Sequence, residues 1–285
     1  MNMIFNVKAF TTGKIYKTIR DAKVQKFLND YHPVIAHVDK LDHNRPLIFI
    51  TNHNHVKDQE LTMASTDKVI HWQAKKEYFD AKASLFKKDN LSNRLKTAIL
   101  VRAMGCIRVD RSDTLPILAR KYEVSIEEIM YLNNLTEPII TPGQILIIPR
   151  GEELVKHQVY QGKNTKAFLE TDRYLAYGHS IGGFPEGTRG EGEALGKFAT
   201  GLIITAMKND VEIQPAALSG SFDKNNNDLM INFLDPVKIS KNSNPETEAE
   251  YLREMVGEGL EENRKLIKTL SPSNLKKLGK EAIYI

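Results

Sequence analysis

The 285-residue sequence has one cysteine, no cluster of Cys and His at zinc-site spacing and no long apolar run. The single cysteine, Cys106, excludes an internal disulfide, and the lack of a Cys/His cluster argues against zinc. No apolar stretch approaches the roughly twenty residues that a membrane-spanning helix needs. The short Thr-rich segment between Lys8 and Lys14 lacks the features of a secretory signal. These absences predict a cytoplasmic protein without a membrane-spanning helix.

Acidic and basic residues nearly balance, but they are unevenly distributed. The chain carries 40 Lys and Arg against 36 Asp and Glu, a net charge of +4. The stretch from Asp113 to Gly162 has four basic and seven acidic residues, a net −3, which leaves +7 for the rest. Because a basic surface attracts acidic partners, the larger part of the chain suits acidic molecules or an anionic membrane surface. No nucleic-acid partner is expected.

A catalytic turn is predicted after a strongly apolar strand. Residues 46–50 read Pro-Leu-Ile-Phe-Ile, and His53 lies three positions after Ile50. A neutral His can take a proton from a hydroxyl, and a carboxylate on its other nitrogen fixes the tautomer. Asp58 begins a predicted helix from Asp58 to Ala64, and its side chain is expected to cap that helix while facing His53. A His and an Asp five positions apart also arise by chance, so this pair is weak evidence alone.

A second loop is rich in glycine and carries a Glu and an Arg. Residues 182–190 read Gly-Gly-Phe-Pro-Glu-Gly-Thr-Arg-Gly, and glycines let main-chain N–H groups approach an anion closely. Arg189 presents a planar fork suited to phosphate, and Glu186 can accept hydrogen bonds from hydroxyls or hold Arg189 in position. The alternative is a polar loop without a role, which the joint occurrence with the His53 turn disfavours. Together the two loops indicate acyl transfer onto a phosphorylated alcohol.

Four segments resemble, in the same order, the sequence blocks of the glycerolipid acyltransferase family, typified by bacterial 1-acyl-glycerol-3-phosphate acyltransferase. The four segments are His53 to Asp58, Gly105 to Arg111, Phe184 to Arg189 and Val211 to Leu218. The resemblance implies transfer of a fatty acyl group from acyl-CoA or acyl-carrier protein to the free hydroxyl of a lysophospholipid, usually lysophosphatidic acid. It implies no further cofactor and no metal. The blocks do not discriminate between acceptors, so another lysophospholipid stays an alternative.

The resemblance also assigns roles to individual residues. His53 and Asp58 are the expected catalytic pair, with His53 as the general base. The expected substrate-binding residues are Arg111, Glu186, Gly187, Thr188 and Arg189. Backbone donors near Gly187 are expected to stabilise the tetrahedral oxyanion. Cys106 has no assigned base of its own and is not expected to carry an acyl group.

A long insert separates the second and third blocks, where the family usually has about one helix. Leu115 and the residues after it recur at helical spacing, Ser125 and Glu128 form a capping pattern for a second helix, and Pro142-Gly143 makes a turn into an apolar strand. This stretch resembles a LysM domain, a small glycan-binding module. The resemblance implies a possible partner that contains N-acetylglucosamine. An alternative reading makes this glycan binding the function, on an inactive acyltransferase scaffold.

The first strand of the LysM-like insert is missing from its usual place. Two segments can supply it: Ile107 to Arg111, which the acyltransferase blocks already use, and His157 to Gln161. We favour the second, paired antiparallel with Ile145 to Pro149. The insert would then be circularly permuted, with its ends close together. Whether the insertion is natural or designed stays open.

The predicted organisation is therefore an acyltransferase domain at 1–111 and 163–285, interrupted by a LysM-like domain at 112–162. Alternating apolar strands and helices predict an α/β fold with flanking helices, and a small α+β insert. The predicted strands are Leu47–Asn52, Val69–Gln73, Ile107–Asp110, Ser180–Phe184, Glu212–Leu218 and Leu229–Phe233. The predicted helices outside the insert are Asn93–Met104, Thr165–Tyr177, Phe198–Lys208 and Thr247–Thr269.

The leading segment has a loose helical rhythm with lysines beside it. Its stripe consists of Ile15, Ile19, Ala22, Lys23, Phe27 and Tyr31. A basic amphipathic helix can rest on an anionic lipid surface, which would place the protein at the inner face of the membrane. A helix packed on the core, with a solvated basic face, is an equally good reading.

Overall fold

The computed structural model describes residues 2–80, 90–110, 112–151, 153–162, 164–190, 194–223, 228–270 and 283–285, with the side chains of 2–12 left aside. The chain divides into two compact units. The larger consists of Met1–Ile107 and Phe168–Ile285, and the smaller of Arg108–Ala167.

Helices and strands alternate along most of the described chain. The helices are α1 (Asn2–Tyr31), α2 (Asp58–Ala64), α3 (Leu91–Ala103), α4 (Leu115–Tyr122), α5 (Ile126–Leu132), α6 (Thr165–Ala176), α7 (Gly201–Asn209) and α8 (Pro245–Thr269). The strands are β1 (Val34–Ala36), β2 (Ile48–Thr51), β3 (Ile70–Lys75), β4 (Ile107–Val109), β5 (Ile145–Arg150), β6 (Glu153–Gln158), β7 (Ser180–Gly183), β8 (Ile213–Ser219), β9 (Met230–Phe233) and β10 (Ile283–Tyr284).

The larger unit is built on a mostly parallel sheet in the order β10-β1-β9-β8-β2-β7-β3-β4. Strand β2 lies in parallel pairing between β7 and β8, and β3 continues the parallel set beside β7. The β8–β9 pair is antiparallel. Every residue of β2 is buried, as expected for a strand covered on both faces. The predicted α/β fold with flanking helices is confirmed.

The six predicted strands of the larger sheet overlap observed strands, and the four predicted helices overlap α3, α6, α7 and α8. The predicted helix from Asp58 to Ala64 coincides with α2. The sequence analysis did not predict β1 or β10, which are short and pair with each other. Their three and two residues are too few for an alternating pattern to show.

Side chains of β3 leave room only for a glycine at position 182 of β7. A Cβ at Gly182 would lie 2.8 Å from Ile70 Cγ2 and 2.8 Å from Trp72 Cδ2. Trp72 is buried in β3 and its ring stacks on Phe184, with ring centroids 5.1 Å apart. The small residue in β7 therefore lets the Trp72 ring reach the first residue after the strand.

Helix α1 packs on the core through part of the predicted stripe. Tyr16, Phe27 and Tyr31 are buried, whereas Ile15 is 42% exposed and Ala22 is exposed. Phe27 and Tyr31 belong to the main core cluster. The predicted stripe was wrong at Ile15 and Ala22, and Tyr16, which it did not include, is buried instead. The core-packing interpretation therefore holds for the described side chains of this helix.

The smaller unit has its own apolar core between two helices and a hairpin. Its buried side chains include Leu115, Leu118, Ile129, Leu146 and Ile148. The predicted capping box is present, since Ser125 Oγ accepts from the Glu128 N–H and the Glu128 carboxylate accepts from the Ser125 N–H. The unit therefore meets the usual conditions for a self-contained fold.

The hairpin of the smaller unit confirms the predicted antiparallel pairing but corrects its bounds. Leu146 pairs with His157, and the partner strand is Glu153–Gln158 instead of His157 to Gln161. Gly151 adopts a φ of 64°, which makes a tight turn directly after Arg150. The partner strand therefore begins four residues earlier than predicted, at Glu153 instead of His157.

The two ends of the smaller unit are joined by hydrogen bonds. The Asp110 N–H donates to Asn164 Oδ1 at 2.7 Å, and Asn164 Nδ2 donates to the Asp110 carbonyl at 2.9 Å. The Asp113 N–H donates to the Tyr160 carbonyl at 2.9 Å. Chain entry and exit are therefore adjacent, the arrangement in which a host loop tolerates an inserted domain.

Candidate active site

The candidate site lies where two neighbouring parallel strands end. The His53 turn follows β2, and the loop that begins at Phe184 follows β7. Since β2 and β7 pair in parallel, with Ile50 opposite Gly183, their carboxyl ends meet at one edge of the sheet. Ligand sites of open α/β sheets occur at this edge.

Asn52 fixes the end of β2 to its neighbour β8. Its side-chain Nδ2 donates to the Leu218 carbonyl at 2.9 Å, and its Oδ1 accepts from the Leu218 N–H at 2.8 Å. The fully buried amide thus bonds Leu218 as a backbone peptide group would. This holds the start of the His53 turn at a defined position. The sequence analysis missed this role, because the bond depends on a strand 166 residues away.

His53 and Asp58 are in direct contact. His53 Nδ1 lies 2.9 Å from Asp58 Oδ2, and the Asp58 side chain is only 2% exposed. The same oxygen accepts the backbone N–H groups of Asn54 and His55, both at 2.8 Å. A carboxylate oxygen accepts hydrogen bonds and does not donate them, so His53 Nδ1 is the donor to Asp58 Oδ2. In the neutral imidazole, Nε2 then carries no hydrogen.

Asp58 does not cap helix α2, contrary to the prediction. The N-cap residue is Lys57, and no side chain caps the helix. Asp58 is the first helical residue, and its carboxylate points back along the chain to the turn. The predicted orientation towards His53 is correct, but the backbone groups that Asp58 satisfies belong to the turn instead of the helix.

An aromatic ring holds the His53 imidazole from one side. The rings of His53 and Phe184 are stacked, with centroids 3.9 Å apart and an interplanar angle of 11°. Trp72 stacks behind Phe184. The His53 side chain stays 15% exposed, and no described residue bonds its Nε2. The imidazole is therefore fixed in orientation by Asp58 and Phe184, with one nitrogen open to a substrate.

Glu186 connects the two loops through the backbone. Its Oε1 accepts from the His53 N–H at 2.8 Å, and its Oε2 accepts from the Gly196 N–H at 2.9 Å. The Gly190 N–H donates to the His53 carbonyl at 2.7 Å, so both backbone groups of His53 bond to this loop. Burial raises the pKa of Glu186, and these two N–H bonds partly offset the rise. Among the described side chains, Glu186 and Arg189 form no ion pair.

The other predicted binding residues lie in or near the same loop. Desolvation lowers the pKa of His55, Asp58 opposes this effect, and Lys57 and Arg189 add to it. Arg189 is partly exposed in the loop. The Gly187 N–H donates to the Phe184 carbonyl at 3.0 Å, so this donor is engaged in a turn. Thr188 is partly exposed in the turn. Arg111 lies outside the described residues.

Aromatic packing beside the turn was not predicted from the sequence. The His55 ring stacks on Phe222, with centroids 4.2 Å apart, and its Nδ1 accepts from the Lys57 N–H. Lys57 Nζ donates to the Tyr31 hydroxyl and lies over the Tyr31 ring. No local sequence pattern predicts that Phe222, which follows β8 in the sequence, contacts His55.

Cys106 is unsuited to nucleophilic chemistry. Desolvation raises the pKa of its thiol to about 12, so the reactive thiolate is scarce at neutral pH. Among the described residues, no group of three or more His, Cys, Asp or Glu side chains could hold a metal ion. No helix of the described residues is long and apolar enough to cross a membrane.

The mostly parallel sheet, its flanking helices and the His–Asp turn at its edge define an α/β fold similar to an acyltransferase fold. Over 93% of the chain, the structure is similar to the crystal structure of the 1-acyl-sn-glycerophosphate (LPA) acyltransferase PlsC from Thermotoga maritima. The similarity covers 98% of that chain, with a TM-score of 0.50 and 16% sequence identity. At this identity the likeness shows the fold alone.

Residues 107–149 match the LysM domain family. The match includes α4, α5 and most of β5, and it begins at the first residue of β4. The acyltransferase-like fold and the LysM domain predicted from the sequence are therefore both found. The comparison with curated proteins gives no significant match.

Proposed function

We propose that the larger unit transfers a fatty acyl group from an acyl thioester to the free hydroxyl of lysophosphatidic acid, forming phosphatidic acid. The observation that supports this most strongly is the His53 imidazole, bonded at Nδ1 to Asp58 and open at Nε2. A base with no protein nucleophile beside it suits a reaction in which the substrate supplies the hydroxyl.

His53 is the general base of the proposed reaction. Nε2 takes the hydroxyl proton as the substrate oxygen attacks the thioester carbonyl, and the Asp58 carboxylate stabilises the resulting imidazolium. The tetrahedral intermediate then collapses, the C–S bond breaks, and the proton passes from His53 to the departing thiolate. Stacking on Phe184 keeps the imidazole in one orientation during both transfers.

Among the described residues, Arg189 is the side chain that we propose binds the phosphate. Its loop is hydrogen-bonded to both backbone groups of His53 through Glu186 and Gly190. The backbone of this loop therefore keeps a defined position relative to the base, and the fork geometry of a guanidinium matches phosphate oxygens. Glu186 has spare lone pairs for a glycerol hydroxyl. We also assign Gly187, Thr188 and Arg111 to substrate binding, as the sequence resemblance implies.

The test is an acyl-transfer assay with purified protein. Lysophosphatidic acid is offered with acyl-CoA and, separately, with acyl-carrier protein, and product formation is measured for both donors. Lysophosphatidylcholine and lysophosphatidylethanolamine serve as alternative acceptors. Turnover with lysophosphatidic acid above the other acceptors supports the proposal, whereas a preference for another lysophospholipid keeps the chemistry and replaces the acceptor. No turnover with any pair contradicts it.

The acceptor is a lipid, so we propose that the protein acts at the inner face of an anionic membrane as a peripheral protein. The net charge of +7 outside the stretch from Asp113 to Gly162 favours contact with such a surface. Co-sedimentation with anionic and zwitterionic vesicles tests this. Binding that does not depend on the anionic lipid would contradict it.

Glycan binding by the insert is a second candidate function. The LysM match and the self-contained core of the smaller unit favour it. Titration of the full chain with oligomers of N-acetylglucosamine measures it directly. Tight binding without acyl transfer would favour glycan recognition as the function, on an inactive acyltransferase scaffold.

A further inference from the structure

A second cleft of the larger unit lies at the opposite edge of the sheet from His53. It has a volume of about 570 Å³ and is lined in part by Val69 and Ser180. Val69 directly precedes β3 and Ser180 begins β7, whereas Phe184 follows the end of β7. Four residues of strand rise ~13 Å, so this cleft is separate from the candidate active site.

Positive charge dominates the lining of this cleft. Its basic side chains are Lys14, Lys17, His43, Arg45, Lys68 and His179. Asp67 is the one carboxylate among the lining residues, and it contacts His43 Nδ1 at 3.2 Å. Arg45 is already paired with Asp42, at 2.6 Å between Nε and Oδ2, so four Lys and Arg charges face two acidic charges, Asp42 and Asp67, and a net positive charge of two is left. A concave surface lined by one sign of charge concentrates ions of the other sign.

Desolvation lowers the pKa of two basic side chains of this cleft. The pKa of His179 is lowered, by desolvation first and by Lys17 second. The pKa of Lys68 is lowered by desolvation, which Asp42 and Asp67 only partly offset. An anion in the cleft would offset both effects, because a nearby negative charge favours the charged form of Lys and His.

Hydrogen bonds and ring stacking fix the position of His179 in the wall of the cleft. His71, which is fully buried, lies with its Nδ1 3.0 Å from the Gly105 carbonyl and its Nε2 2.8 Å from His179 Nδ1. The His71 ring is stacked on Tyr174, with centroids 3.6 Å apart. The His53 chemistry uses none of these groups. They fix the His179 imidazole at the edge of the cleft.

A glycine inside helix α1 makes room for this imidazole. A Cβ at Gly13 would lie 3.1 Å from His179 Cε1 and 3.2 Å from His179 Nε2. Glycine is disfavoured inside a helix, so its presence here has a local reason. The helix that carries Lys14 and Lys17 can thereby approach the His179 ring.

We propose that this cleft binds a phosphate group carried by a small organic molecule or by a lipid headgroup. A phosphate monoester carries close to two negative charges at neutral pH and a phosphodiester headgroup carries one. Both offer several acceptor oxygens, which suits several converging Lys and Arg side chains better than a single carboxylate does. The volume lies within the range of small-molecule sites, roughly 300–1,000 Å³. Tyr177 and Asn44 line the rest of the cleft and offer contacts to an organic part.

Calorimetric titration with glycerol 3-phosphate tests the proposal on the full chain at low ionic strength. Lys17→Glu should weaken binding by about tenfold or more, since each reversed charge near the ligand changes the binding free energy appreciably. Lys26→Glu is the matched control, because Lys26 is an exposed lysine of the same helix that does not line the cleft. This control should change the affinity by less than about twofold. Arg189→Ala should leave this binding in place.

Vesicles containing phosphatidylglycerol, compared with phosphatidylcholine vesicles, test the lipid source of the phosphate. Glycerol 3-phosphate binding that is sensitive to Lys17→Glu identifies a soluble ligand, and vesicle binding with the same sensitivity identifies a headgroup. The absence of binding with both probes overturns the proposal, as does equal weakening by Lys17→Glu and Lys26→Glu. Loss of all phosphate binding in Arg189→Ala also overturns it, because the anion would then occupy the active site alone.

Discussion

The backbone N–H of His53 donates to Glu186 Oε1 at 2.8 Å, across 133 residues of sequence. The other oxygen of Glu186 accepts the Gly196 N–H. Glu186, in the loop from Phe184 to Arg189, therefore has a structural role that does not depend on a bound substrate. It joins the loop that carries the proposed base to the loop that carries the proposed phosphate ligand.

Two substitutions of Glu186 should distinguish the effect of its two backbone hydrogen bonds from the effect of its charge. Glu186→Gln keeps one acceptor oxygen and loses the other, whereas Glu186→Ala loses both. We expect kcat to fall further in the alanine variant, by roughly 10²-fold or more, because misplacement of a positioned group by about 1 Å costs this much. Steady-state kinetics of both variants measures the difference. Equal kcat values for Glu186→Ala and the unmodified protein would show that the two backbone bonds have no catalytic consequence.

The raised pKa of Glu186 predicts a pH dependence of stability. A carboxyl whose pKa is higher in the folded state ionises more readily when unfolded, so its contribution to folding falls as pH rises from below its ordinary value to above its folded value. Glu186→Gln removes this titration. The unfolding free energy of the unmodified protein minus that of Glu186→Gln should therefore decrease as pH rises through about 4.5 and above. Urea unfolding across this window measures it, and an increasing difference would contradict the raised pKa.

Asp58→Asn should damage chemistry more than folding. His53, Asn54 and His55 all contact a single oxygen of Asp58, so an amide oxygen in the same place keeps the acceptor while removing the charge. We expect kcat to fall on the order of 10³- to 10⁴-fold, the effect known when a His-orienting carboxylate becomes an amide.

Asp58→Ala is the comparison, since it should also lose about 2 kcal/mol of stability through unpaired buried N–H groups. Turnover and urea unfolding of both variants check the pair. An Asp58→Asn protein with normal kcat would remove Asp58 from the mechanism.

Asn52→Ala should destabilise the fold at the strand end. The substitution leaves the Leu218 N–H and carbonyl without their side-chain partner in a buried place, which costs about 2–4 kcal/mol for two groups. Asn44→Ala is a suitable control because Asn44 is exposed. Chemical denaturation measures both. A loss for Asn52→Ala no larger than that for Asn44→Ala would contradict the bridging role.

Features set by local sequence could be predicted well. The apolar run before His53 marks a buried parallel strand, and the His53–Asp58 contact needs only five residues of chain. The same holds for helices α4 and α5, where Leu115 and Ser125 start clear patterns. Contacts across strands were out of reach, since the bond from Asn52 to Leu218 and the bond from His53 to Glu186 depend on how β2 pairs.

Turn geometry explains the remaining errors. The hairpin partner of β5 was displaced because the tight turn at Gly151 leaves no mark in the apolar pattern of Glu153–Gln158. The sequence also did not indicate that the Gly187 N–H donates to the Phe184 carbonyl in a local turn. A glycine-rich segment indicates backbone freedom without indicating which partner its N–H groups find.

Turnover and acceptor binding of His53→Ala, measured side by side, test the central claim most directly. With lysophosphatidic acid and the better thioester donor, we expect kcat to fall by about 10³-fold or more while acceptor affinity stays within about threefold. Arg189→Ala should show the reverse emphasis, with a raised KM for the acceptor. A His53→Ala protein that turns over lysophosphatidic acid at the unmodified rate would contradict the account.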